Sequence, residues 1–267
     1  MTIKTLHGFN MIIDPVRDEG VERTIYYTGS YEKGTLFVIK NLLKEGDTFI
    51  DVGANIGLMS IFASSIVMDS GKIIAFEPNP VTLKILKRNI ALNNISNIQT
   101  SDYAVGAKAS GAKIYDRWDS NRGSASLIKP ESESDSYDIE VITLSDYCKA
   151  NQEIHLIKID IEGFELEALK GAKEILDGES PPMLIIECSE TRENTYGFGT
   201  DDLYEFLKCI THYRLFKSRG GKEKVSKLVE IRTRSELPHH DNIYCFTKKH
   251  MEQIPSKIFS RDLLRRA

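Results

Sequence analysis

The chain has 267 residues, 41% hydrophobic and 28% charged, with a net charge of −4. That length holds one α/β domain with additions more readily than two equal domains, and no run approaches the ~18 apolar residues of a membrane span. The acidic balance lacks the basic surface that a nucleic-acid backbone calls for, so no nucleic-acid partner is expected.

The opening MTIKTLHGFNMIID lacks the basic, apolar and small-residue order of a secretory leader and reads as cytoplasmic. Cys148, Cys188, Cys209 and Cys245 form no CxxC pair and read as buried, reduced thiols. Residues 1–45 combine a short β-like start, a turn at Asp14-Pro15 and a helical pattern from Tyr31 to Leu43; they are expected to form an N-terminal cap. TFIDVG then predicts a buried strand and LMSIFASSIV a helix. KIIAFEPNP predicts a second strand stopped at Pro78 and Pro80, and VTLKILKRNIALNN an amphipathic helix ended by asparagines. NIQTSDYAVG predicts a third strand.

This βαβαβ alternation implies a parallel, doubly wound α/β sheet with right-handed crossovers. From residue 107 to 142 the rhythm pauses. KIYD and IEVITL predict short strands around the polar loop SNRGSASLIKPESESDSYD, which is too long for a plain connector and is expected to cover the pocket. IHLIKIDI and MLIIECSE predict the fourth and fifth strands, with FELEALKGAKEILD a helix between them. DDLYEFLKCI predicts a further helix, YRLFKS and NIYCFTKK late strands. Residues 46–250 are thus expected to form the main domain, and 251–267 a basic C-terminal tail or helix.

FIDVGANIG joins a buried strand to a helix through a turn with Gly53 and Gly57, where a missing Cβ lets a ligand approach the backbone. Glu77 ends the next strand, where doubly wound folds place a carboxylate for ribose hydroxyls. Together they specify a nucleoside-bearing ligand. The glycines are spaced GxxxG, not GxGxxG, and Asp51 stands two residues before the first. A carboxylate there opposes a pyrophosphate but suits an ammonium and a sulfonium, which favours S-adenosylmethionine over a nicotinamide dinucleotide.

The chain resembles the FkbM family of class I methyltransferases, through FIDVGANIG, FEPNP, DYAVG, NRGSASL, VITLSDY and above all IKIDIEGFELEALKGA, from about Tyr31 to Glu190. The resemblance implies a mostly parallel, seven-stranded Rossmann-like sheet with an antiparallel last strand. It also implies S-adenosylmethionine as cofactor, with Asp51, Gly53, Asn55 and Gly57 at the methionine end, Glu77 at the ribose and Asp102 near the adenine. For Asp102 the residues themselves read equally as an exposed turn aspartate. The family usually has an asparagine-like residue there, and TLDDY where this chain has TLSDY, which puts Ser145 in doubt as a functional position.

A hydroxyl acceptor must be aligned with the methyl group and lose a proton. Asp160 and Glu162 follow the fourth strand, at the edge where open α/β sheets bind ligands, and are the candidates to touch the acceptor or its proton. Glu165 is explained as well by the helix dipole. His239 and His240 precede the last strand and should face the same edge; His240 is the third catalytic candidate. His155 lies at the wrong end of the sheet. A divalent ion on Asp160 and Glu187 is disfavoured, because Cys188 stands where a further oxygen ligand is expected, so no metal is expected.

The resemblance implies O-methylation of a sugar, polyketide or related small molecule or glycan; a homo-oligomer is left open by the sequence. N-methylation of a macromolecule is the alternative, and the absence of an NPPY-like tetrad after the fourth strand speaks against methylation of a base. A non-catalytic nucleoside-binding module is the other, against which stand the intact Asp51, Gly53, Gly57, Glu77 and Asp160.

Overall fold

Nearly continuous apolar runs become strands covered on both faces, as parallel sheets require. In chain order the elements begin with β1 (Thr2–Lys4), β2 (Asn10–Ile12), α1 (Val21–Thr28), α2 (Lys33–Leu42), β3 (Thr48–Val52), α3 (Leu58–Val67), β4 (Lys72–Phe76), α4 (Pro80–Leu92) and β5 (Ile98–Ser101). β6 (Ala104–Val105), β7 (Ser110–Tyr115), β8 (Ser136–Ile142), α5 (Leu144–Tyr147), β9 (Leu156–Ile159), α6 (Glu165–Gly171), α7 (Lys173–Leu176) and β10 (Met183–Ser189) follow. The last are α8 (Thr200–Cys209), β11 (Arg214–Ser218), β12 (Leu228–Ile231), β13 (His240–Phe246) and α9 (Lys248–Gln253). The computed structural model describes residues 1–115, 135–148, 153–189, 199–210 and 213–260. Most of the polar loop expected to cover the pocket, and the last seven residues of the basic tail, lie outside the described residues.

The main sheet has the order β12-β11-β13-β10-β9-β3-β4-β5. β5, β4, β3, β9 and β10 are parallel, and β13 runs antiparallel to both β10 and β11. The expected doubly wound sheet with its reversed last strand is present, with an eighth strand, β12, added antiparallel at the β11 edge. Its apolar residues Leu228 and Ile231 sit among so many charged neighbours that periodicity hid it. The chain winds outward from β3 in both directions, so the crevice at the switch point opens at the carboxyl ends of β3 and β9.

Two expected elements divide. NIQTSDYAVG forms β5 in the main sheet, then turns at Asp102-Tyr103 to start β6 in a three-stranded sheet of order β6-β8-β7. FELEALKGAKEILD breaks after Gly171, where the backbone at Gly106 comes so close that a Cβ on Gly171 would lie 2.0 Å from the Gly106 carbonyl oxygen. The N-terminal β1–β2 hairpin is tied to α4 by asparagines: Asn93 Oδ1 accepts from the Asn10 N–H at 2.8 Å and Asn89 Oδ1 from Ile12 at 2.6 Å. Of the cysteines, Cys148, Cys188 and Cys245 are buried, whereas Cys209, on the outer face of α8, is exposed.

Candidate active site

The β3–α3 turn is built on left-handed backbone: φ is 83° at Gly53, 49° at Asn55 and 97° at Gly57. Asparagine tolerates this region better than most residues with a Cβ. Gly53 answers a further demand, since a Cβ there would lie 1.9 Å from the Asp160 carbonyl oxygen, where the end of β9 crosses. The turn is held from the next strand. Glu77 Oε2 accepts from the Asn55 N–H at 2.9 Å and Oε1 from the Asn79 N–H at 2.9 Å. Asn79 in turn caps α4 through Val81 N–H at 2.9 Å.

These residues wall a cleft with about 1160 Å³ of empty space, counted out to its open mouth. Gly53, Asn55 and Glu77 line it, with Val52, Leu58 and Phe76 as apolar floor and Tyr103 beside the β5–β6 turn. Asn55 Oδ1 is buried and has no hydrogen-bond partner among the described residues. Gly57 caps α3 just below the lining. Asp102 is exposed, and its neighbour Tyr103 takes the place in the lining.

Asp51 is fully buried and lies beneath the cleft, not on its wall. Its Oδ2 accepts from the Ser60 hydroxyl at 2.6 Å, while Oδ1 has no hydrogen-bond partner among the described residues. Burial pushes its carboxyl above the usual range against the pull of Lys158, its neighbour in register on β9. Lys158 is 3% exposed and donates to Asp160 Oδ2 at 2.9 Å. Burial opposes its charge, but Asp160, Asp51 and Glu32 outweigh it and hold the ammonium protonated.

Farther along the lining, Asp160, Glu162 and Glu187 each bring a carboxylate oxygen within 4.8 Å of the others. Glu162 reaches this place through a left-handed φ of 59°, in a turn whose Ile161 and Gly163 N–H groups both donate to Glu165 Oε1 at 3.0 Å. Glu165 therefore belongs to the turn. Such a trio is spaced as a cation's ligands would be, yet two ammoniums already stand against it, Lys158 on Asp160 and Lys222 on Glu187 at 3.0 Å. Glu187 is raised by burial and by Asp160, with Lys222 pulling the other way.

Lys222 comes from the β11–β12 turn and also meets Glu32 at 3.0 Å. Glu32, 1% exposed with φ 45°, precedes α2. Its neighbour Tyr31 lines the same wall. His240, by contrast, is exposed, shares a 3.0 Å hydrogen bond with Ser189, and is not among the lining residues. Glu187, weighed in the sequence only as a metal ligand with Asp160, carries the same signal as Asp160, a carboxylate at the end of a buried strand. Glu32 and Lys222 carried none, since they meet across 190 positions.

The FkbM methyltransferase domain matches residues 51–220. Among curated relatives, Methyltransferase sdnD of Sordaria araneosa is 30% identical over 156 aligned residues, covering 47% of this chain and 60% of that one. Methyltransferase 1 of Beauveria bassiana (strain ARSEF 2860) is 28% identical over 149, covering 47% and 58%. This chain thus matches less than two thirds of the length of either. In solved structures, a candidate rRNA methylase from Clostridium thermocellum superposes with a TM-score of 0.51 at 10% identity, covering 80% of this chain and 92% of that one, which speaks to the fold. Among the described residues no helix is long and apolar enough to cross a membrane. The unpartnered Asn55 oxygen and the carboxylate-rich surroundings fit a ligand that brings hydrogen-bond donors and positive charge. The family domain takes in most of that cleft and more than half of the chain, so the protein belongs to the FkbM methyltransferase family.

Proposed function

We propose that the protein methylates a hydroxyl on a sugar, polyketide or related small molecule or glycan. The observation that carries this reading is the convergence of Asp160, Glu162 and Glu187 at the cleft end away from Glu77. A hydroxyl oxygen attacks carbon well only as its proton leaves, and a positioned carboxylate that accepts the proton contributes about 10²- to 10⁴-fold in rate. Bound S-adenosylmethionine supplies an electrophilic methyl group, whose bond to sulfur breaks, with its electron pair passing to sulfur, as the bond to oxygen forms.

Asp160, fixed by Lys158, orients the acceptor O–H and draws its proton toward the carboxylates; Glu162 completes the acidic pocket. The proton settles on Glu187, whose burial favours the neutral acid. The carboxylates repel phosphate, which disfavours a nucleic-acid acceptor.

The test is methyl transfer from labelled S-adenosylmethionine to panels of hydroxyl compounds, amines and RNA. With the acceptor so found, Asp160→Asn should keep the cofactor dissociation constant within about threefold while kcat falls at least about a hundredfold. Transfer to amines or RNA and to no hydroxyl compound would refute the reading, as would an Asp160→Asn enzyme with full turnover.

A further inference from the structure

Glu32 and Lys222 lie outside the matched family span of 51–220, yet both reach the acidic end of the cleft. The backbone brings them there. The Gly34 N–H donates to the Lys222 carbonyl at 2.8 Å and the Thr35 N–H at 3.3 Å, so the start of α2 grips the β11–β12 turn. Gly34 has no room for a Cβ, which would stand 2.7 Å from the Lys222 carbonyl oxygen. The Glu32 N–H donates to Glu223 Oε2 at 3.2 Å, and Glu32 Oε2 accepts from Asn242 on β13 at 3.3 Å. Lys222 Nζ is thereby held 3.0 Å from one oxygen of Glu32 and 3.0 Å from one of Glu187.

We propose that Lys222 is a positioning residue for methyl transfer: its ammonium, divided between Glu32 and Glu187, holds Glu187 beside Asp160 and sets how firmly Glu187 keeps the acceptor's proton. The inference rests on the hydroxyl-methylation reading above. An ammonium given wholly to Glu187 would keep that carboxyl ionised and a poor proton acceptor; none at all would leave it protonated before the acceptor arrives. Sharing with Glu32 places it between these limits. The charged and titratable groups packed around Glu187 are Asp160, Glu162 and Lys158 from β9 and its following turn, Glu165 of α6, Tyr31 and Glu32 before α2, Lys222, and Asp241 of β13. Lys222 touches it directly, at 3.0 Å.

The two neighbours must act with opposite sign. Lys222→Gln removes a positive charge and should move the Glu187 titration upward by at least about one pH unit; Glu32→Gln removes a negative charge, leaves Lys222 gripped by its backbone, and should move it downward. Lys222→Arg keeps the charge and should stay within about half a unit of the parent. The titration is read by NMR of protein labelled with [5-¹³C]glutamate and saturated with S-adenosylhomocysteine. The signal is assigned by its loss in Glu187→Gln, and a thermal unfolding curve like the parent's reports an intact fold. Opposite shifts from the two Gln variants support the proposal. Shifts of the same sign, or none in Glu32→Gln, overturn it, and Glu32→Gln decides alone if Lys222→Gln does not fold. The hydroxyl reading fails elsewhere, in the turnover of Asp160→Asn.

Discussion

Gly53→Ala tests whether the end of β9 and the cofactor turn are one mechanical unit. Two penalties add. At φ 83° an alanine pays the left-handed cost of roughly 1–2 kcal/mol. Its Cβ would also stand 1.9 Å from the Asp160 carbonyl oxygen, more than an ångström inside contact, and forced overpacking costs about 1–3 kcal/mol. For a chain of this size each kcal/mol lowers Tm by roughly 2–4 °C, so the melt should fall by roughly 4–20 °C. Gly8→Ala is the internal control: φ is 93° and nothing lies within 4 Å of its added Cβ, so only the conformational penalty applies. The assay is thermal unfolding of both variants at one scan rate, beside calorimetry with S-adenosylhomocysteine. The strain in Gly53→Ala must move the backbone of Asp160, whose N–H donates to the Val52 carbonyl at 3.0 Å, so the affinity of Gly53→Ala should fall at least about tenfold while Gly8→Ala binds normally. A Gly53→Ala protein melting no lower than Gly8→Ala would refute the argument.

Glu77→Ala should weaken cofactor binding by about 1.5–3 kcal/mol, because it removes the expected ribose acceptor and frees the Asn55 N–H that shapes the turn; an unchanged dissociation constant in a folded variant would remove Glu77 from the site. Lys158→Met takes the ammonium from buried Asp51 and from partly buried Asp160 and should cost about 3–5 kcal/mol in denaturant unfolding; a loss under about 1 kcal/mol would mean that water replaces it. Glu165, pushed from its ordinary 4.5 up to about 7 chiefly by burial, keeps a proton on folding that the unfolded chain has lost, so its contribution is whole below pH 4.5 and disappears as pH rises through 7. Glu165→Gln retains an oxygen for both turn N–H groups and should flatten that decline, gaining on the parent by on the order of 1–3 kcal/mol between pH 5 and 8; parallel stability curves would refute the assignment.

The parallel half of the sheet was legible because β3, β4, β9 and β10 are apolar runs with glycine, proline or aspartate at their ends, and covering both faces of a sheet demands just that pattern. β12 and α1 were not: β12 alternates poorly, and α1 buries only Glu22 and Ile25. The GxxxG turn was legible as a ligand turn, but Gly53 also answers to packing against Asp160, a contact between residues 107 positions apart. Asp51 was read as facing the cofactor; it lies one layer below, because its position on β3 faces Lys158 and Ser60. Histidine at 240 was read from strand direction alone. Its side chain meets Ser189 on the neighbouring strand, and nothing in the local sequence could have told that from a turn toward the cleft.

The charges around the cleft make a physical argument for the whole. Among the described residues, Glu32, Glu77, Asp160, Glu162 and Glu187 line it, Asp51 lies beneath, and Lys158 and Lys222 bring ammoniums to them. Burying an ion without a partner costs several kcal/mol, and at Asp51, whose carboxyl is raised by burial, the protonated form relieves part of this excess. A ligand bringing an ammonium and a sulfonium offsets the same excess, which ties cofactor affinity to the ionisation of these groups. Methyl transfer replaces the sulfonium with an uncharged thioether. The carboxylates that favour the donor then have one positive charge fewer to face, and the same electrostatics that draw the cofactor in weaken the hold on its product.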